Sequence, residues 1–220
     1  MISDIAHQTK TPLANLKLLG ERLSGTDRER GAEGGPVEGE LFAGQIDKLD
    51  FLIQAMVKTS RMESGMVRLV KKEQSLLETV VQALNGVLEA ADEKGMHLDV
   101  QCPEDCCLPH DRKWTAEALF NILDNAVKYT EPGGTVSVTA EEGEMYVKIS
   151  IRDNGRGIPE EEQGAVFARF YRAGEVHEEP GAGLGLYLTR QIVMKQGGYI
   201  KVKSAPKEGS EFSVFLPVRP

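Results

Sequence analysis

The sequence predicts an α+β protein: a helical hairpin followed by an α/β sandwich, with one mixed sheet and helices on one face. Three observations predict it. Two segments near the start carry apolar residues at alternating steps of three and four, the spacing of helices that pack on other helices. Beyond residue 66 the period changes, and four segments alternate apolar and polar residues as half-buried strands do. Between those strands lie two longer helical patterns, one opened by an aspartate and one by a run of glycines.

The first seam is Ile2, Ile5, Thr9, Pro12, Leu16, Leu19 and Leu23, stepping by 3, 4, 3, 4, 3 and 4. Residues 25–39, "GTDRERGAEGGPVEG", are polar and glycine-rich and read as a loop. The second seam is Phe42, Ile46, Leu49, Ile53 and Met56. Two amphipathic helices alone bury too little surface, so a homodimer that completes a four-helix bundle is expected. The domain boundary is expected at "SRMESGM", giving residues 1–65 and 66–220.

In the second part, "MVRLVKKE" reads as a strand and residues 75–93 as one helix, with Leu76, Leu77, Val80, Val81, Leu84 and Leu88 on one side. "MHLDVQC" alternates as a strand, and Asp111 is placed to cap a helix running through Tyr129. "GTVSVTAEE" and "EMYVKISIRD" form a hairpin across a short acidic turn. Residues 155–183 are rich in Gly, Glu and Pro and are expected to be mobile. A helix follows over 184–196, and "YIKVKSA" with "SEFSVFLPV" makes a last hairpin.

Composition narrows the function. The net charge of −8 disfavours a nucleic-acid partner. No run approaches the roughly 18 apolar residues that span a bilayer, so no membrane contact by this stretch is expected. No secretory leader is read at the start. The three cysteines, Cys102, Cys106 and Cys107, are clustered and odd in number, which suggests a reducing compartment rather than a disulfide framework. With His110 they offer four soft ligands, but alternation turns Cys106 and Cys107 to opposite faces, and packed strand cysteines are the expectation.

With Ile2 at heptad position a, His7 falls at f, away from the partner helix. Such a residue is by default a solvated one. Lys10 and Thr11 follow at i+3 and i+4, so a cation and a hydroxyl share its helix face and suit an incoming phosphate. Pro12 removes a backbone donor and loosens the helix near Gln8.

Four later stretches carry chemistry. In "FNILDNAVKYT", Asn121, Asn125 and Lys128 form one stripe along a helix; two amide oxygens and an ammonium suit Mg²⁺ with phosphates. In "DNGRGIP", Asp153 ends a strand, where its carboxylate can accept from an adenine amino group, and Gly155 and Gly157 admit a flat base close to the backbone. In "FARFYR", Phe167 and Phe170 can pin a segment to the domain while Arg169 and Arg172 reach phosphate oxygens. In "GAGLGLYLTRQIV", Gly181, Gly183 and Gly185 precede a helix whose first N–H groups can cradle an anion. The last is neither a dinucleotide fingerprint nor a Walker loop.

The stretch "AHQTKTPLANLKLL" resembles the phosphoacceptor box of sensor histidine kinases, and the other four, in this order, resemble the nucleotide-binding boxes of the histidine-kinase ATPase domain, a fold shared with gyrase and the Hsp90 chaperone. The resemblance covers essentially the whole chain. It implies that His7 attacks the γ-phosphate of ATP and then passes the phosphoryl group to an aspartate on the receiver domain of a response regulator. It implies Asn125, with Asn121, as the Mg²⁺ ligands, Lys128 as a phosphate contact, Asp153 as the adenine reader and residues 158–182 as a lid. Tyr129, Ile158, Leu184 and Leu186 fall within the matched boxes as further ATP-binding positions. It also implies a membrane-bound bacterial parent protein of which this is the cytoplasmic portion.

The chain departs from that pattern at Gln8, where the family usually has a carboxylate that takes a proton from imidazole; an amide is a poor proton acceptor. Thr11 occupies the position that, in the family, helps place water for dephosphorylating the regulator. Three alternatives stay open on sequence: a phosphatase-biased protein, motivated by Gln8; a dimeric ATP-binding scaffold without chemistry; and a hydrolytic ATPase. Against the last stands Asn121, at the position where hydrolytic relatives carry the Glu that activates water.

Overall fold

The computed structural model describes Leu16, residues 35–172 and residues 183–219. Apart from Leu16, the first predicted helix, with His7, Gln8, Lys10 and Thr11, and the stretch 173–182, with Gly181, lie outside the described residues.

Helix α1 spans Gly35–Glu63. It begins earlier than expected, taking in the last five residues of the predicted 25–39 loop. Pro36 stands in its first turn, where a missing N–H costs nothing. Strand β1 is Lys72–Ser75, so most of "MVRLVKKE" is not strand; β1 pairs antiparallel with β3, Cys107–His110, as a separate ribbon of two strands. The expectation of one sheet is corrected to two among the described residues. The expected helix over 75–93 is two helices, α2 (Leu76–Asn85) and α3 (Leu88–Glu93). The break falls at Gly86, where a Cβ would meet the Phe120 ring at 2.7 Å. After it the phase shifts: Val87 is buried, whereas Leu88 is exposed.

The main sheet has five strands in the order β2-β4-β5-β7-β6. They are β2 (His97–Gln101), β4 (Thr135–Glu142), β5 (Tyr146–Asp153), β6 (Tyr199–Ala205) and β7 (Gly209–Pro217). β2 runs parallel to β4; all other pairs are antiparallel, and both predicted hairpins form. Alternation sends Val136, Val138, Val147, Ile149, Ile151, Phe212, Val214 and Leu216 to one buried face. There they meet α4 (Arg112–Tyr129) and α6 (Gly185–Lys195), which lie side by side. Asp111 caps α4 as expected, its carboxylate accepting from Trp114 N at 3.1 Å. A short helix, α5 (Glu160–Gln163), interrupts the segment expected to be mobile, and turns and a bend continue to residue 170.

The core is therefore one layer between sheet and helices. Burying side chains of this size contributes roughly 1.5–3 kcal/mol each before entropy is counted. The expectation of packed strand cysteines is corrected: Cys106 is buried but precedes β3, Cys107 lies in β3 and is exposed, and Cys102 is half-buried just after β2. Burial, with Glu142 nearby, pushes the Cys106 thiol up to about 12.

Candidate functional site: a cleft between α4, α6 and the end of β5

Asp153 has the same parity on β5 as Ile149 and Ile151, so it points to the helical side of the sheet and is 7% exposed. Its Oδ1 accepts from Gly155 N at 2.9 Å and from Ser210 N at 3.2 Å. Burial raises the carboxyl above the usual carboxylate range, and those two N–H groups pull it partly back. The loop that follows is strapped to the β6–β7 turn. Ser204 Oγ accepts from Ile158 N at 2.8 Å, and Lys207 N donates to Arg156 O at 2.6 Å. Gly157 has φ +72°, and a Cβ there would overlap the Ala205 carbonyl, so only glycine fits.

Asp153 opens into a cleft of about 220 Å³. Along α4 the helical repeat brings Asn121, Asn125, Lys128 and Tyr129 to its wall, while Gly157, Ile158 and Arg172 line it from the loop side. Gly183, Leu184, Gly185 and Leu186 bring the start of α6 to the same space. Leu184 offers no side-chain cap, so the first N–H groups of this helix retain donor capacity toward the cleft. Gly185 packs close to Asn121: a Cβ would lie 3.3 Å from Asn121 Oδ1. Asn121 Nδ2 is buried and has no hydrogen-bond partner among the described residues.

Two of the expected residues are placed differently. Gly155, in the loop after Asp153, is not on the cleft wall, and its missing side chain leaves room for Tyr129 O. Arg169 turns away from the cleft; its Nη1 meets both Glu63 oxygens at 3.3 Å, because an acidic residue at the end of α1 is its nearest partner. Phe167 does pin its segment, meeting the Phe212 ring edge-on at 6.1 Å. Phe170 N donates to Gly183 O at 2.8 Å, which joins the two ends of the stretch 171–182.

The sequence did not single out Gln54, Ala55 and Lys58 of α1, which form another side of the cleft. Lys58 Nζ donates to Glu117 Oε1 at 2.7 Å. No local pattern marks these residues, since their role depends on how α1 docks. Arg156, Ser210 and Phe212 also line the cleft; the opposition of Ser210 to the end of β5 follows only from strand register.

This fold and cleft define an ATPase domain: the chain belongs to the family described as histidine kinase-, DNA gyrase B-, and HSP90-like ATPase, which matches residues 110–220. Among individual proteins, it is 32% identical to the signal transduction histidine-protein kinase/phosphatase MprB of Mycobacterium sp. (strain KMS), covering 100% of this chain and 44% of that protein. The chain thus spans under half the length of that curated relative. A solved structure of the mycobacterial sensor histidine kinase MprB aligns at 31% identity with a TM-score of 0.61, covering 69% of this chain and 99% of that one. The Acinetobacter baumannii histidine kinase AdeS shares the fold at 20% identity, with a TM-score of 0.78 over 96% of this chain and 98% of its own. Among the described residues, no helix is long and apolar enough to cross a membrane.

Proposed function

We propose that this chain is the catalytic region of a sensor histidine kinase, with a phosphoacceptor hairpin over 1–65 and an ATP-binding domain over 66–220. Mg²⁺-ATP binds in the cleft, His7 takes the γ-phosphoryl group, and an aspartate of a response regulator receives it. The observation that carries this reading is the convergence of Asn121, Asn125 and Lys128 with Asp153 on one cleft. Asp153 accepts from the adenine amino group; Lys128 and Arg172 face phosphate charge; the uncapped start of α6 offers N–H groups to phosphate oxygens. Among the described residues no group of three or more His, Cys, Asp or Glu is arranged to hold a metal. A donor set of amides fits Mg²⁺, which takes most of its oxygens from substrate and water. Asn125 and Asn121 would hold the ion, which supplies charge neutralisation at the transferring phosphoryl group. Lys58 ties up Glu117, and Asn121, an amide, is no proton acceptor, so neither of these two positions favours activation of water.

Gln8 and Thr11, together with the kinase/phosphatase name of the relative, support a second activity on the same chain: removal of phosphate from the regulator. The hairpin is proposed to dimerise. The test is labelling with γ-labelled ATP of wild type, His7→Ala and Gln8→Glu. We expect acid-labile label on wild type, none on His7→Ala and faster labelling of Gln8→Glu. ATP hydrolysis that persists in His7→Ala at the wild-type rate, without labelling in either, would sink the kinase reading.

A further inference from the structure

Lys94 lies in the turn after α3, outside the cleft, yet it reaches the last turn of α4. Its Nζ donates to the carbonyls of Val127 at 2.9 Å, Lys128 at 2.9 Å and Thr130 at 3.1 Å. An ammonium has three hydrogens, and all three are used. The carbonyls at a helix end have no helical N–H ahead of them, and the helix dipole places negative charge there. α4 ends without the usual left-handed glycine, since Thr130 is extended at φ −102° and ψ 138°. A lysine from another element supplies the cap instead. The main chain adds a link to the turn that follows α4, with Gly133 N donating to Lys94 O at 2.8 Å.

The last turn of α4 contributes to the cleft wall. Lys128 and Tyr129 are on that wall, with Lys128 Nζ 5.1 Å from the Tyr129 ring centroid. The remaining carbonyl of the turn, Tyr129 O, accepts from Arg156 N at 3.3 Å and so joins the turn to the loop after Asp153. We propose that Lys94 is a positioning residue for the nucleotide: its ammonium, from behind α4, fixes Lys128, Tyr129 and the loop at Arg156 where ATP must meet them. This rests on the reading of the cleft as an ATP site. It predicts that Lys94 acts on nucleotide affinity out of proportion to its effect on overall stability.

The experiment compares the dissociation constant of a non-hydrolysable Mg²⁺-ATP analogue for wild type, Lys94→Met and Val147→Ala, a core truncation at the opposite end of β5, with the melting temperature of each. Lys94→Met should weaken binding about tenfold and speed hydrogen exchange at the Arg156 amide, while Val147→Ala loses at least as much stability and binds within about twofold of wild type. Where Lys94→Met does not fold, Lys94→Gln, which keeps two donors without the charge, carries the same comparison. A wild type that fails to bind overturns the reading of the cleft and this inference with it. A wild type that binds while the Lys94 variant binds equally well, or a Val147→Ala that loses as much affinity, overturns the role of Lys94 alone.

Discussion

The Tyr187 hydroxyl donates to the Glu63 carboxylate at 2.6 Å, joining the end of α1 to the first turn of α6. The hydrogen bond is the main reason the phenol is raised above its ordinary range. The same carboxylate receives Arg169, and nearby Leu52 and Leu184 are buried together against Ala55, Met56 and Phe170. A charged clasp and a small apolar cluster thus hold the long helix against the side of the nucleotide cleft. Because the clasp is open to solvent, its strength is modest. In a double-mutant cycle of Glu63→Gln and Tyr187→Phe, followed by denaturant unfolding, the coupling should be about 0.5–1 kcal/mol. Strictly additive single variants would mean that the contact contributes nothing.

Two glycines in neighbouring segments should respond oppositely to alanine. Gly157→Ala forces a side chain into the Ala205 carbonyl at a positive φ, and should cost about 3 kcal/mol or more, with loss of nucleotide binding, since Gly157 lines the cleft. Gly164 caps α5 at φ −71° with no atom within 4 Å of the added Cβ. Gly164→Ala should be neutral or stabilise by up to ~1 kcal/mol. Denaturation midpoints of the two variants check both, and a Gly157→Ala as stable as wild type would contradict the packing described for the loop.

Local signals in the sequence were strong where one residue or one period decides the structure. Asp111 marked the start of α4, and the 3.6-residue repeat put Asn121, Asn125 and Lys128 on one face, which the cleft uses. The alternating pattern of "EMYVKISIRD" put Asp153 at the end of a strand, where the structure has it. What stayed hidden depends on partners distant in the chain. Gly86, at the break between α2 and α3, lies against Phe120 of another helix, and β1, "KEQS", which carries no apolar alternation, belongs to a ribbon rather than to the main sheet. Arg169 looked like a phosphate ligand from its neighbours, but Glu63 lies 106 residues away in sequence and takes it in space. Gln54, Ala55 and Lys58 enter the cleft only because α1 docks there.

The cysteines should differ in reactivity by place rather than by kind. Alkylation requires thiolate, and the buried Cys106, pushed up to about 12, stays protonated near neutral pH. Cys107 is exposed on the other face, while Cys102 is half-covered and also raised by burial. Iodoacetamide at pH 8, followed by peptide mass mapping, should modify Cys107 first and leave Cys106 intact until the protein unfolds. Early modification of Cys106 would show that the β1–β3 ribbon opens readily.

Asp153 sets stability against binding. Its carboxyl titrates above an unfolded aspartate, so the folded chain holds that proton more tightly. The stability this contributes is fully present below the unfolded value, near ~3.9, and is lost as pH rises through the folded value. At pH 7 the buried carboxylate is therefore a net cost to the empty protein. Asp153→Asn removes the charge and keeps an oxygen for Gly155 N and Ser210 N, both of which donate to Oδ1. The variant should melt above wild type at pH 7, with the difference shrinking as the pH falls toward ~4. Binding should move the other way. With Oδ1 engaged, Oδ2 is the acceptor left for an adenine amino group, and in asparagine that place is taken by NH₂. Two donors would then face each other at a cost of about 1–3 kcal/mol, so affinity for ATP should fall roughly tenfold or more. Calorimetric melting across pH and titration with an ATP analogue check the two halves separately. A variant that binds ATP as tightly as wild type would remove Asp153 from the recognition of the base, whatever its melting temperature.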